Sequence, residues 1–378
     1  MNHPILKENS KRLKRFLSPF NPLLGDPRDP DRFLLNIHGI KKVYLPVSMK
    51  ETPLIKTLIS KGAISKFIRS HFFKDNFHSV AHFHKTFHSL RMKYDFPFWI
   101  SQNFNSELNL KEYLSLIRHL QKIRWKKRMI RLIIRKNPDS DISLILNLFI
   151  IWHKAYSKTG SNVMTISNSS QNMKSIRDFF LESKQVSSSP YFRFNKTEFT
   201  NTLYSPQTDS RFWFGTISNP DFSRGRSFSY LLLHEVNTWK NNGKENIRKV
   251  IQATFPVVPN DTDSVIILTT DPFLRKTFVR KEWLAASSGE SPFKTLTLPW
   301  YESLNKIYTF DFPEDKIKFH KNLIRYCNRR NIPNLPNVDA RYLYSLWQQG
   351  LPLEVIHWYA TESLYYKSHH QFLRHFPL

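Results

Sequence analysis

The run MIRLIIRK-NPDSD-ISLILNLFIIWHKAY, residues 129–156, decides the fold. Its first part, Met129 to Lys136, groups apolar residues over the length of one strand, with Arg131 and Arg135 interspersed, and reads as a buried strand. Its last part, Ile142 to Tyr156, stays apolar over about four helical turns. Between them stand Asn137, Pro138, Asp139, Ser140 and Asp141, all turn-forming types. A buried strand, a short turn and a helix make the opening half of a βαβ unit.

The same alternation continues outward. Asn162 to Ser167 (NVMTIS), Tyr230 to Glu235 (YLLLHE), Ser264 to Thr270 (SVIILTT) and Lys294 to Pro299 are further apolar runs of strand length. Helices are predicted over Ser169 to Lys184, with serine at the start as a cap, and over Phe273 to Ala286. The fold class is therefore α/β, a mostly parallel sheet flanked by crossover helices. Gln185 to Ser210, with Ser187-Ser188-Ser189-Pro190 and scattered Asn and Thr, reads as a long surface excursion. Residues 1–105 are aromatic-rich and irregular, with turn chemistry at Asn21-Pro22, Gly25-Asp26-Pro27 and Asp29-Pro30-Asp31. After Trp300 the chain is helical and basic again. The predicted parts are 1–105, an α/β core at 106–310, and a helical C-terminal extension at 311–378.

The 378 residues include 57 Lys plus Arg against 30 acidic residues, a formal charge of +27 that makes a polyanion, nucleic acid first, the expected partner. With 40% hydrophobic residues the chain has material for a core, which argues against wholesale disorder. Cys327 stands alone and can form no internal disulfide. The N-terminus runs into Lys7, Lys11, Arg12, Lys14 and Arg15 with no apolar signal core, and the apolar stretch Ile142 to Trp152 is too short to span a bilayer, so a cytosolic protein without a membrane segment is expected. His78 with His82, and His84 with His88, fall one helical turn apart. Only Asp75 lies near them as a further ligand type, so these rings are expected to pack with Phe72, Phe73, Phe77, Phe83 and Phe87 rather than to hold a metal. Lys122, Arg124, Lys126, Lys127 and Arg128, with Trp125 among them, suit a DNA phosphate backbone; a solvated helix face is the competing reading.

Glu235 would project from the C-terminal end of its strand, where α/β folds place active sites. Around it, Arg224-Gly225 and then Phe228 to Trp239 (FSYLLLHEVNTW) resemble a pattern of phage large terminase subunits: Arg-Gly, a short loop, an apolar strand, a polar residue, Glu, and Trp a few residues on. Phe278 to Ala286 (FVRKEWLAA), Gly289-Glu290-Ser291 and Leu298 to Glu302 (LPWYE) resemble the segment after the third ATPase motif of that family. Tyr94 to Trp99 (YDFPFW) is similar to the aromatic segment before its nucleotide domain, and Leu351 to Tyr359 (LPLEVIHWY), with His369 and Phe376-Pro377, to the linker before its nuclease domain. These stretches occur in family order across residues 94–377.

The resemblance implies a P-loop NTPase-like fold, ATP with Mg as cofactors, double-stranded DNA as substrate, portal and procapsid as partners, and a separate nuclease or small terminase subunit alongside. It also implies a prophage-encoded protein in the cytoplasm of a bacterial host. Glu235 and Arg224 become the catalytic residues, and Lys136, Ser143 and Thr270 the cofactor-binding ones. The family's phosphate loop reads approximately Lys-Ala-Arg-Gln-x-Gly-x-Ser-Thr, and Lys136 and Ser143 match it. Pro138 stands for the arginine, Asp141 for the glycine and Leu144 for the threonine; His234 precedes the catalytic acid, and Leu268 replaces the acid of the third motif. Pro138 removes an N–H and a charge, and Asp139 and Asp141 bring carboxylates to a loop built for phosphates, so weakened hydrolysis is expected. The alternatives are an active motor with a divergent loop and a basic DNA-binding or capsid-assembly protein without ATPase activity. The nuclease domain would follow Phe376-Pro377, where the chain stops, so no cleavage is expected of it.

Overall fold

The computed structural model describes residues 3–37, 40–60, 77, 80–104, 108–125, 128–137, 142–157, 159–218, 225–239, 245–271, 278–302, 306–327, 339–366, 368, 371, 372 and 376. Strands β1 (Arg32–Ile37) and β2 (Ile40–Pro46) form an antiparallel hairpin. A second sheet contains β3 (Ile130–Arg135), β4 (Val163–Ser167), β5 (Asn195–Lys196), β6 (Thr202–Ser205), β7 (Ser210–Thr216), β8 (Tyr230–Leu233), β9 (Val265–Thr270) and β10 (Lys294–Thr297). Its order is β10-β3-β9-β8-β4-β7-β6-β5; every pair from β10 to β7 is parallel, and β6 and β5 add an antiparallel edge. All the strands expected of the parallel sheet are present, close to their expected ends.

Period-two alternation sends neighbouring residues to opposite faces. Leu132 and Ile134 pack with the helices α4 (Phe96–Asn103), α5 (Leu114–Arg124), α6 (Ser143–Ala155) and α7 (Ser170–Val186), while Ile133 packs with α8 (Glu245–Thr254) and α9 (Phe278–Ser288). Helices on both faces remove water from both, and that is why the strands read as largely apolar runs.

Two segments depart from expectation. The stretch at 185–210 is not an excursion: β5, β6 and the start of β7 lie in it, and β7 pairs with β4 inside the sheet. Its Ser and Thr content hid it, because strands this short take their stability from pairing rather than from their own apolar pattern. Among the described residues, the N-terminal part carries the hairpin and four helices, α1 (Pro4–Leu17), α2 (Pro53–Ser60), α3 (Val80–Tyr94) and α4. On α3 the histidine rings meet aromatic ones: His82 lies 5.6 Å from Phe77, His84 5.5 Å from Phe83 and His88 5.3 Å from Phe98. His78, Phe72 and Phe73 lie outside the described residues.

One buried polar cluster holds the N-terminal part together, and a second ties it to the C-terminal helices. Asp95, which is fully buried, receives Arg32 Nη2 at 2.7 Å and Arg91 Nε at 3.1 Å, and Arg91 also donates to the carbonyls of Leu23 and Pro22. Helix α1 packs on the C-terminal helices α10 (Pro313–Tyr326), α11 (Ala340–Gln348) and α12 (Leu353–Glu362). There the buried carboxylate of Glu354 accepts from Asn9 Nδ2 at 3.0 and 2.9 Å and pairs with Lys316 Nζ at 2.7 Å. Among the described residues, no helix is long and apolar enough to cross a membrane.

Glu302, beyond β10, reaches back to the start of α5 and accepts from the N–H of Ser115 at 3.0 Å. Burial pushes its pKa up to about 7 from an ordinary 4.5, outweighing the opposing bonds from Ser115 and the charge of Arg118. A carboxyl whose folded-state pKa is raised binds its proton more tightly in the folded state, so its ionisation penalty is complete above about pH 7 and vanishes below about 4.5. Glu302→Gln is therefore expected to stabilise the chain at pH 8 by on the order of 1–2 kcal/mol and to flatten the decline between pH 5 and 7. Urea unfolding of both proteins at pH 5.5 and 8 measures this; an equal pH dependence in the variant would refute it.

Candidate nucleotide cleft

Strands β3 and β9 lie side by side, but their outgoing connections diverge. From β3 the chain passes through α6 to β4, beyond β8; from β9 it passes through α9 to β10, on the far side of β3. Such a divergence opens a crevice at the C-terminal ends of the strands, the usual ligand position in an open α/β sheet.

Three charged side chains meet in this crevice. Lys136 directly follows β3, and its N–H extends the ladder to Thr270 O at 2.9 Å. Its side chain is only 6% exposed, and Nζ lies 3.1 Å from Glu235 Oε1 and 3.2 Å from Asp271 Oδ1. The two residues that sequence reading assigned to opposite roles thus face one another across the cleft. One cation between two carboxylates leaves the trio with a net negative charge. Each contact represents about 5 kcal/mol of Coulomb attraction at an effective dielectric near 20, offset by desolvation of the lysine. An incoming polyanion must therefore draw Lys136 away from partners already in place.

Glu235 is held in an uncommon conformation, left-handed with φ of 50°. For a residue with a Cβ this costs roughly 1–3 kcal/mol and persists only where surrounding bonds over-determine it. Here they do. Its N–H donates to Thr269 Oγ1 at 2.8 Å, and its carbonyl accepts from both the N–H and the Oγ1 of Thr238, each at 2.8 Å. Asn168, past the end of β4, donates to Thr238 Oγ1 at 2.9 Å, and Trp239 Nε1 donates to His234 O at 2.8 Å. Asp271 is anchored by its N–H to Asn237 Oδ1 at 3.0 Å. The ends of β4, β8 and β9 are thereby hydrogen-bonded to one another, which sets the backbone positions of Glu235 and Asp271.

Of the other expected site residues, Ser143 is the first residue of α6. Thr270 is fully buried, and its hydroxyl donates to Asp271 O at 3.1 Å. Leu268 is fully buried within β9. Arg224 and residues 138–141 lie outside the described residues. In the basic run, Lys122 is exposed and pairs with Asp31 at 2.9 Å, and Arg128 is exposed; Lys126 and Lys127 lie outside the described residues. Arg124 departs from expectation: it is 8% exposed, its guanidinium lies over Trp125, and it donates to Tyr156 O and Ser157 Oγ. A guanidinium turned inward in this way does not present its charge to a phosphate backbone. Asp271 was missed, although the signal was the one that marked Glu235, an acid closing an apolar run.

Fold and cleft together define an α/β protein with a mostly parallel, helix-flanked sheet and a lysine and two carboxylates at its switch point. Among solved structures, the chain is similar to phage large terminases. With that of the HK97 bacteriophage it shares 10% identity at a TM-score of 0.41, covering 55% of this chain and 46% of that one. With the ATPase domain of the Thermus phage P74-26 large terminase it shares 14% identity at a TM-score of 0.36, covering 58% and 93%. With the large terminase of a thermophilic bacteriophage in complex with ADP it shares 10% identity at a TM-score of 0.35, covering 54% and 49%. The chain thus spans about half the length of the HK97 protein. No protein-family model matches the chain, and no curated protein does.

Proposed function

We propose that this chain is a terminase-like ATPase-fold module of a DNA-packaging motor in which nucleotide hydrolysis is weakened. The observation that carries the reading is the meeting of Lys136, Glu235 and Asp271 at the switch point, the place where a phosphate-neutralising cation and a water-activating acid must converge. On this reading Lys136 contacts the terminal phosphates, Ser143 offers a hydroxyl to Mg, Glu235 orients the attacking water and Arg224 offsets charge on the transferred group. The three parts are residues 1–105, 106–310 and 311–378, with α1 seated on the last of them. Duplex DNA is the substrate, portal and procapsid are the docking partners, and a separate chain supplies the nuclease.

Weakness follows from the same residues. Lys136 is already engaged by two carboxylates, and the sequence places Asp139 and Asp141 in the following loop. Titration of the chain with MgATP, followed by phosphate release, tests the reading with Glu235→Ala as control. Binding no tighter than millimolar and turnover indistinguishable from the control are expected. Micromolar binding with Glu235-dependent turnover would instead establish an active motor with a divergent loop. The +27 charge favours one further reading, a basic DNA-binding or capsid-assembly protein without ATPase activity. Steeply salt-dependent DNA binding that nucleotide does not alter would distinguish it.

A further inference from the structure

Away from the Lys136 cleft, a cavity of about 310 Å³ opens between α7 and the C-terminal end of β7. That volume falls at the small end of ligand-sized pockets. Lys174 and Arg177, three residues apart on one face of α7, form one wall, and Ser170 stands a turn before Lys174 on the same face. Asn201 lies opposite, and Phe214 and Thr216 of β7 make the floor. Two cations and no carboxylate line the cavity, and Arg177 also pairs through Nη2 with Asp178 at 3.6 Å.

Arg177 is held for such use. Its Nη1 donates to Thr200 O at 2.7 Å, which fixes the guanidinium against the loop before β6. Its Nε is buried with no hydrogen-bond partner among the described residues. A buried donor without an acceptor is costly, and a bound anion is one of the few things that explains it. Lys174, by contrast, is exposed and can swing in as a point charge.

The geometry points to a second oxyanion site, a pocket for a phosphate ester, in which Arg177 and Lys174 neutralise the phosphate and the Ser170 hydroxyl donates to one of its oxygens. The inference stands independently of any nucleotide at Lys136. The phosphate ester can be carried by a free mononucleotide or by a nucleic-acid backbone, and the two sources separate by experiment.

Calorimetric titration of the full chain with AMP, and separately with a short duplex lacking terminal phosphates, should be made in the natural protein and in Lys174→Glu, Arg177→Gln and Lys136→Ala. Loss of at least tenfold in affinity in Lys174→Glu and in Arg177→Gln, with Lys136→Ala unchanged, is expected for whichever ligand is the true source. Arg177→Gln can loosen the contact to Thr200, so the exposed position 174 provides the decisive variant; its thermal unfolding should match the natural chain. Affinity for both ligands that is undetectable, that survives Lys174→Glu, or that falls only in Lys136→Ala would overturn the assignment.

Discussion

The variant carrying Pro138→Arg, Asp141→Gly and Leu144→Thr is expected to bind MgATP on the order of 100-fold more tightly than the natural chain. The resemblance places these positions where a phosphate loop has its arginine, its glycine and its final hydroxyl. A carboxylate about 5 Å from a phosphate costs on the order of 3 kcal/mol at an effective dielectric near 20, and each 1.4 kcal/mol is tenfold in affinity. Removing Asp141 alone therefore has the capacity to raise affinity a hundredfold, and a positive charge at position 138 would add to it. A glycine at 141 also lets the backbone approach the ligand, and losing Pro138 returns an N–H. The gain is capped because Lys136 must still leave Glu235 and Asp271. Leu144 packs partly buried against the main core, so its replacement costs some stability, and thermal unfolding should accompany every titration. Asp271→Asn in the same background should strengthen binding again, because it frees Lys136 from one of its two partners. If the triple variant binds no better than the natural chain while remaining folded, the loop is not what limits nucleotide binding.

Asp95→Ala is expected to destabilise the protein by about 3–5 kcal/mol, the cost of leaving buried charge without its partner. Asp95 has no exposure, and it alone stands between the side chains of Arg32 and Arg91, both almost wholly buried. Arg32 keeps Asp29 at 3.5 Å and the carbonyl of Tyr44 at 2.7 Å, so the loss is partial there. Among the described residues, Arg91 keeps the carbonyls of Leu23 and Pro22 and the face of Phe98. The N-terminal hairpin should loosen first, because Arg32 opens β1. Equilibrium urea unfolding gives the magnitude, and a change below about 1 kcal/mol would show that the network contributes little net stability.

Some of this was legible in sequence and some was not. The buried strands at 130–135, 163–167, 230–233 and 265–270 announced themselves because a strand covered on both faces can carry no polar stripe. Glu235 was found because it closes such a run, and strand ends are where an α/β sheet exposes its chemistry; Lys136 was found only through the resemblance of the loop that follows its strand. Strands β5 and β6 were illegible, since the pairing that stabilises them comes from residues elsewhere in the chain. The inward turn of Arg124 was equally hidden: a charged residue late in a helix reads the same whether it faces solvent or the stacked rings of Trp125 and Tyr94.

The sequence by itself determined the α/β class, the crossover helices and the strand-end position of Glu235, because period and apolar length record which faces lose water; Lys136 came from the resemblance of its loop. Only the tertiary structure decided that β3 lies beside β9 rather than β4, and with that order came everything that depends on neighbours. It put Asp271 within reach of Lys136, bent Glu235 into a left-handed turn under bonds from Thr269 and Thr238, seated α1 on the C-terminal helices, and brought Lys174 and Arg177 over the end of β7. The physical reason is that burial is written locally along a chain, residue by residue, whereas strand order is set by which long-range pairing buries the most surface while keeping every backbone group hydrogen-bonded.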